Sequence, residues 1–235
     1  IRCMHYRREC DLYYFVNEGG TAYRGVAKLP QGGACYAYDA WENTIKAVEQ
    51  TADGVVVDLE PKKSLLLLFD EPDTARLSSP LRADGVKTEM TRWTRTLCRG
   101  IEYPGFTGET AVTLPDRLAE EKPKFSGFAR YETTIDAKKD CGYVLEITDA
   151  AEGVELFVNG ISAGLQIVPR YLFDITNLVR EGENALAIEV ATTLERDAYA
   201  RTNPITKLIS GKPITKSGIT GSVYLLERPE NEIRK

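Results

Sequence analysis

Chemistry needs particular side chains at particular spacings, and this chain offers few of them. Acid–base hydrolysis by carboxylates needs two of them facing one substrate, about 5–10 Å apart. The chain has 35 acidic residues, but no local pattern nominates a pair, and they read as a solvated surface. His5 is the only histidine, so any Ser-His-Asp or Cys-His device must run through it. It lies in a strand-like stretch beside Arg7, Arg8 and Glu9, which suits a surface position better than a nucleophile's partner. A His-rich metal site is excluded by count, and no Walker or dinucleotide-type glycine loop is present. No catalytic residue and no organic cofactor are expected.

The five cysteines, Cys3, Cys10, Cys35, Cys98 and Cys141, are odd in number and irregular in spacing. No Cys-x-x-Cys pair occurs, so neither a zinc site nor a redox motif is indicated. They read as small buried hydrophobes and free thiols. That usage, with no Asn-x-Ser/Thr sequon, implies a reducing compartment, the bacterial cytoplasm rather than the exterior.

The elements that must position any site centre on Tyr143–Val190. Val154-Glu155-Leu156-Phe157-Val158 alternates in depth as on a half-buried sheet. Asn159-Gly160 supplies the two positive-φ positions of a type I′ hairpin. Gly182-Glu183-Asn184 then turns the chain into a strand on which Leu186, Ile188 and Val190 point one way. No helix of useful length fits this stretch. It reads as the core of a β-sandwich.

The string FVNGISAG, a Tyr-rich segment, DITNLVREGENALAIEV and SGITGSVYL resemble the sugar-binding jelly roll of glycoside hydrolase family 2, a galactose-binding-like domain. With FSGFARYETTID upstream, the resemblance covers residues 87–228. The FSG-ARYE string looks more like large rhamnosidase-type hydrolases that carry such a module C-terminally. Before it, HYRREC, DLYYFVNEG, YAYD, VVVDLEP and LLLLF are similar to the β-sandwich that follows their catalytic barrel. The resemblance implies an all-β chain: a sandwich of short strands at 1–70, a linker at 71–86, a jelly roll at 87–228 and a tail at 229–235. It also implies that the chain is a piece of a longer polypeptide whose catalytic acids lie upstream, as does an opening, Ile-Arg-Cys-Met, with neither initiator Met nor leader pattern.

Within this frame, strands are expected at Asp11–Val16, Tyr23–Lys28, Ala34–Tyr38, Gly54–Glu60 and Ser64–Phe69, the last two joined as a hairpin at Pro61-Lys62-Lys63. Residues 87–98 should be the first strand of the second domain, and Arg117–Lys122 fit one helical turn. Tyr103–Gly108 and Glu120–Lys124 read as loops. Arg196–Lys216 reads as a long irregular segment, and loops of that length are often functional.

A sugar presents an apolar ring face to an aromatic side chain and hydroxyls to Arg, Asn, Asp or Glu. Trp41, Trp93, Tyr171, Tyr199 and Arg201 are the candidates for carbohydrate contact. Asn159 joins them because the resemblance places the matching asparagine of family 2 enzymes in the sugar site, although turn formation alone accounts for an Asn there. The same resemblance allows a structural calcium, and the acidic stretch Asp149–Gly153 lacks the EF-hand pattern.

A net charge of −5 argues against a nucleic-acid surface, which needs clustered Lys and Arg. No apolar run approaches ~20 residues, so no membrane-spanning helix is encoded. The expected partners are carbohydrate and a catalytic domain of the same polypeptide. Two other roles fit the same residues: an independent carbohydrate-binding module, or domains that only brace an upstream barrel.

Overall fold

The computed structural model describes residues 1–7, 11–40, 44–61, 63–69, 85–167, 169, 171–205, 207 and 211–229. The chain divides into two compact units, Ile1–Pro80 and Leu81–Arg234, each built on its own core. Both are antiparallel β-structures, as the period-two patterns require. Among the described residues no helix is long and apolar enough to cross a membrane. Residues 71–84 of the expected linker and Trp41 lie outside the described residues, as does the tail beyond Pro229, while Val86, placed at the end of that linker, opens the first strand of the second unit.

The first unit has eight described strands: β1 (Arg2–Arg7), β2 (Asp11–Val16), β3 (Tyr23–Ala27), β4 (Tyr36–Asp39), β5 (Thr44–Ala47), β6 (Gln50–Thr51), β7 (Gly54–Leu59) and β8 (Ser64–Leu68). They form one sheet in the order β1-β2-β8-β4-β5 and another in the order β3-β7-β6. Tyr13, Phe15 and Leu67 from the first meet Val55, Val57 and Leu59 from the second in a shared core. This corrects the expected hairpin at Pro61-Lys62-Lys63. β7 pairs with β3 and β6, while β8 pairs with β2 and β4. The connection therefore carries the chain from one sheet to the other, so that Leu59 and Leu67 face a common core instead of lying side by side in one sheet.

The second unit contains β9 (Val86–Glu89), β10 (Arg92–Cys98), β11 (Thr107–Thr113), α1 (Leu118–Glu121), β12 (Phe128–Ala137), β13 (Cys141–Ile147), β14 (Gly153–Val158), β15 (Ile161–Gln166), β16 (Tyr171–Asp174), β17 (Gly182–Ala191), α2 (Glu195–Arg201) and β18 (Val223–Pro229). A six-stranded sheet, β11-β10-β12-β17-β14-β15, shares a core with a four-stranded sheet, β16-β13-β18-β9. Tyr131, Leu156 and Ile188 from the first meet Tyr143, Leu145 and Val223 from the second, all at or near zero exposure. Burying side chains of this size contributes about 1.5–3 kcal/mol each before entropy is counted. The all-β sandwich expectation holds.

Two local expectations do not. The single strand at 87–98 is two strands in two sheets: β9 pairs with β18, and β10 with β11 and β12. The switch falls between adjacent residues, where the Met90 N–H donates to Val223 O at 2.8 Å and Thr91 O accepts from the Leu114 N–H at 2.9 Å. Within the segment expected to be irregular, α2 forms a seven-residue helix. Its first turn carries Glu195 and Asp197 and its last Arg201, the polarity that complements a helix dipole, and Arg201 pairs with Asp197 one turn away.

The Asn159-Gly160 turn is as expected, with φ of 50° and 82°. It closes β14 onto β15 and places Gly160 beside the outer surface of the six-stranded sheet.

Candidate functional site

Alternation along a strand sends every second side chain away from the core. On β12, Ala129, Tyr131 and Ile135 point inward, so Arg130, Glu132 and Thr134 stand on the outer face. Antiparallel register aligns neighbours with them. Ala111, Thr94, Glu132, Ala187 and Phe157 form one row across β11, β10, β12, β17 and β14. The next row sets Thr96, Arg130, Glu189 and Glu155 side by side. Between these rows and the Gly160 turn lies a groove of ≈ 580 Å³.

Its floor is low because Ala185 and Ala187 occupy β17 where larger residues would fill it. Arg130 builds one wall. Its Nε donates to Glu132 Oε1 at 3.0 Å and its Nη1 to Glu189 Oε1 at 2.7 Å. The guanidinium also lies 5.8 Å from the Phe106 ring and 5.7 Å from the Phe157 ring, within cation–π range. Partial burial opposes its charge, but the bonds to Glu189 and Glu132 outweigh that and raise its pKa above the ordinary arginine value. Beyond the groove, Tyr103 donates its hydroxyl to Glu189 Oε2 at 3.0 Å, and its ring packs on Phe128 at 4.6 Å. That bond, with burial, holds the Tyr103 phenol above its usual range.

At the other side Arg92 is exposed, and its guanidinium makes no ion pair or hydrogen bond among the described residues. The hydroxyls of Thr94 and Thr134 are likewise uncommitted to protein groups among the described residues, so each can serve a ligand hydroxyl. The groove thus joins a shallow floor of small side chains to hydroxyl and guanidinium donors along its sides. Glu132 is the one carboxylate lining the groove among the described residues, and it is already held by Arg130.

Of the residues nominated from sequence, Trp93 borders this groove, but its side chain is 3% exposed and its indole N–H is donated to Met90 O at 2.8 Å. Asn159 neighbours the groove through Gly160, yet its side chain turns to the protein. Nδ2 donates to Asn184 Oδ1 at 2.8 Å and to Leu178 O at 3.3 Å, and Oδ1 accepts from the Ala185 N–H at 3.1 Å. Tyr171 is 1% exposed, with its hydroxyl donated to Ala151 O at 3.1 Å, leaving no ring face for a ligand. Tyr199 and Arg201 share α2, where Lys207 Nζ sits 5.3 Å above the Tyr199 ring. The groove residues Arg92, Thr94, Arg130, Glu132 and Ala185 were missed. The polar i, i+2, i+4 series Arg130-Glu132-Thr134 in a strand was the available signal.

Among the described residues no three His, Cys, Asp or Glu side chains are gathered in a metal-binding set. Asp149, in the stretch considered for calcium, has its two carboxylate oxygens 2.6 and 2.7 Å from Lys216 Nζ and accepts the Thr220 hydroxyl at 2.8 Å. A lysine ammonium supplies the positive charge at that carboxylate.

Against known proteins, no family profile matches the sequence and no curated relative is found. Among solved structures, the chain is similar to a rhamnosidase from Novosphingobium sp. PP1Y, with 18% identity and a TM-score of 0.62. That superposition covers 96% of this chain and 24% of the rhamnosidase. The chain thus has the fold of a segment about a quarter as long as that glycoside hydrolase. It also overlays β-glucuronidases from Ruminococcus gnavus (15% identity, 66% of this chain, 31% of that one, TM-score 0.47) and Faecalibacterium prausnitzii (13%, 63%, 33%, 0.45). At these scores the glucuronidase overlays carry no argument.

Proposed function

We propose that this chain is a non-catalytic accessory portion of a glycoside hydrolase, and that the groove on the six-stranded sheet meets carbohydrate. The groove carries the reading: it joins a small-residue floor, two uncommitted threonine hydroxyls and a fixed guanidinium wall on a rigid sheet. The likeness of fold to a rhamnosidase segment, spanning both units in tandem, is the supporting analogy. A catalytic role is disfavoured because hydrolysis needs two opposed carboxylates, and the groove's Glu132 is tied to Arg130. The catalytic groups would then belong to another domain of the same polypeptide.

Calorimetric titration of the 235-residue chain against a panel of oligosaccharides tests this. At least one should bind, and Ala185→Trp, which fills the floor from an exposed position, should abolish the binding without changing the melting temperature. Aryl glycosides should not be turned over. Turnover that survives purification and disappears in Glu132→Gln would make the chain an enzyme. Silence across the whole panel would leave only a bracing role.

A further inference from the structure

We propose that the groove selects a glycan bearing an anionic group, a carboxylate or a sulfate ester, and that Arg92 receives it; this rests on the carbohydrate reading above. The two arginines of the groove differ in what already holds them. Arg130 is already paired: Glu132 takes its Nε and Glu189 its Nη1, and two aromatic rings flank the guanidinium. It shapes the wall and offers an incoming anion little. Arg130 offsets one of the two charges that Glu132 and Glu189 carry, which weakens their repulsion of an anion.

Arg92 is different. Its strand partner in β11 is Thr113, and no carboxylate reaches it among the described residues. This guanidinium is left open at the edge of a groove whose floor fits a sugar ring. A guanidinium presents a fixed fork of donors that matches a carboxylate or sulfate, which an ammonium does not. Thr94, one row along on the same strand face, and Thr134 on β12 stand where they can take the hydroxyls of the same residue. The device combines a sugar platform with one guanidinium that no protein carboxylate takes among the described residues.

The test uses matched pairs of ligands on the full chain. One pair is an oligogalacturonide and its carboxyl-reduced counterpart; the other is a sulfated oligosaccharide and its desulfated counterpart. In at least one pair the charged member should bind about tenfold more tightly at low salt, as one charge-assisted contact allows. The pair that shows the gap identifies the anion. The advantage should shrink with added salt, vanish in Arg92→Gln and survive in part in Arg92→Lys. Arg92 is exposed and unbonded, so both variants should melt like the parent. Equal binding of charged and neutral members, or a gap that persists in Arg92→Gln, overturns the proposal while leaving carbohydrate recognition intact. If no member of either pair and no neutral oligosaccharide binds, the carbohydrate reading itself has failed.

Discussion

Asn159 and Asn184 lock a β-hairpin to the turn that launches the strand beside it. Asn159 Nδ2 donates to Asn184 Oδ1 at 2.8 Å. Asn184, with 0% exposure, also accepts from the Arg180 N–H at 2.9 Å and donates to the carbonyls of Arg180 and Gly182 at 2.7 and 2.8 Å. Two turns distant in sequence are thereby one hydrogen-bonded unit, and the outer edge of the groove at Gly160 is held by it. The side chain that the resemblance would aim at a sugar is spent on the fold.

That pin changes what substitution should do. Glycine at 159 keeps the positive-φ geometry but deletes the bonds to Asn184, Leu178 and Ala185. Asn159→Gly should therefore cost about 1–3 kcal/mol, and Gly160→Val a similar amount through strain at positive φ. Denaturant melts of both variants measure this. An Asn159→Gly protein as stable as the parent would show the pin to be idle.

The hairpin was legible because its cause is local: two residues suffice to demand a type I′ turn. The Asn159–Asn184 bond was not, since it joins positions 25 apart. The same divide explains the other misses. Pro61 and Lys63 look alike whether the chain doubles back or changes sheets; the choice is made by which strands β7 and β8 meet. Nothing at Met90-Thr91 announces a break, because β9 and β10 are both good strands and only their partners differ. The groove is the extreme case, since Arg92, Arg130 and Ala185 come from three strands and are neighbours only through register. The helix α2 is the exception, as its acidic start and basic end were visible in the sequence.

Cysteine usage gives a second prediction. Cys3 is exposed, Cys35 and Cys98 are buried, and all four described cysteines are free thiols. In the native protein a thiol reagent should reach Cys3 first and Cys35 and Cys98 only on unfolding. In denaturant it should find five thiols, the full complement of the chain. Burial pushes the Cys35 thiol up to about 11. A raised folded pKa favours the neutral form, so this contribution to stability is complete below the ordinary thiol range and is lost as pH rises through about 11. Cys35→Ala should flatten that alkaline slope in the first unit. A denatured count of three or one would reveal disulfides and refute the assignment.

The strongest stability prediction concerns Arg95, which lies inside the second sandwich where Tyr131, Ile188 and Leu156 share its row. Its Nη1 donates to Asp116 Oδ1 at 2.6 Å, with both side chains 2% exposed, and its Nη2 to Glu121 Oε2 at 2.7 Å on half-exposed α1. Tyr131 donates its hydroxyl to the other Asp116 oxygen and accepts the Ile219 N–H at 3.3 Å. Gly218 is required beside it, since a Cβ there would lie 2.2 Å from the Tyr131 hydroxyl at φ +76°. Taking Asp116 away leaves the buried Arg95 with only the half-exposed Glu121 and strips Arg95 Nη1 and the Tyr131 hydroxyl of their acceptor, and breaking a buried pair typically costs about 3–5 kcal/mol. Asp116→Ala should lose that much. Arg95→Met with Asp116→Asn removes both charges and leaves an acceptor for Tyr131, so the double variant should recover most of the loss, far from additivity. Glu121 is the weaker arm. The Arg95 bond lowers its pKa, so its contribution is complete above the ordinary carboxylate range and disappears as pH falls through the depressed value. Glu121→Gln should remove that acid dependence at small cost near neutrality. If Asp116→Ala unfolds within about 0.5 kcal/mol of the parent, a difference typical of a surface site, the buried pair does not hold the sandwich together.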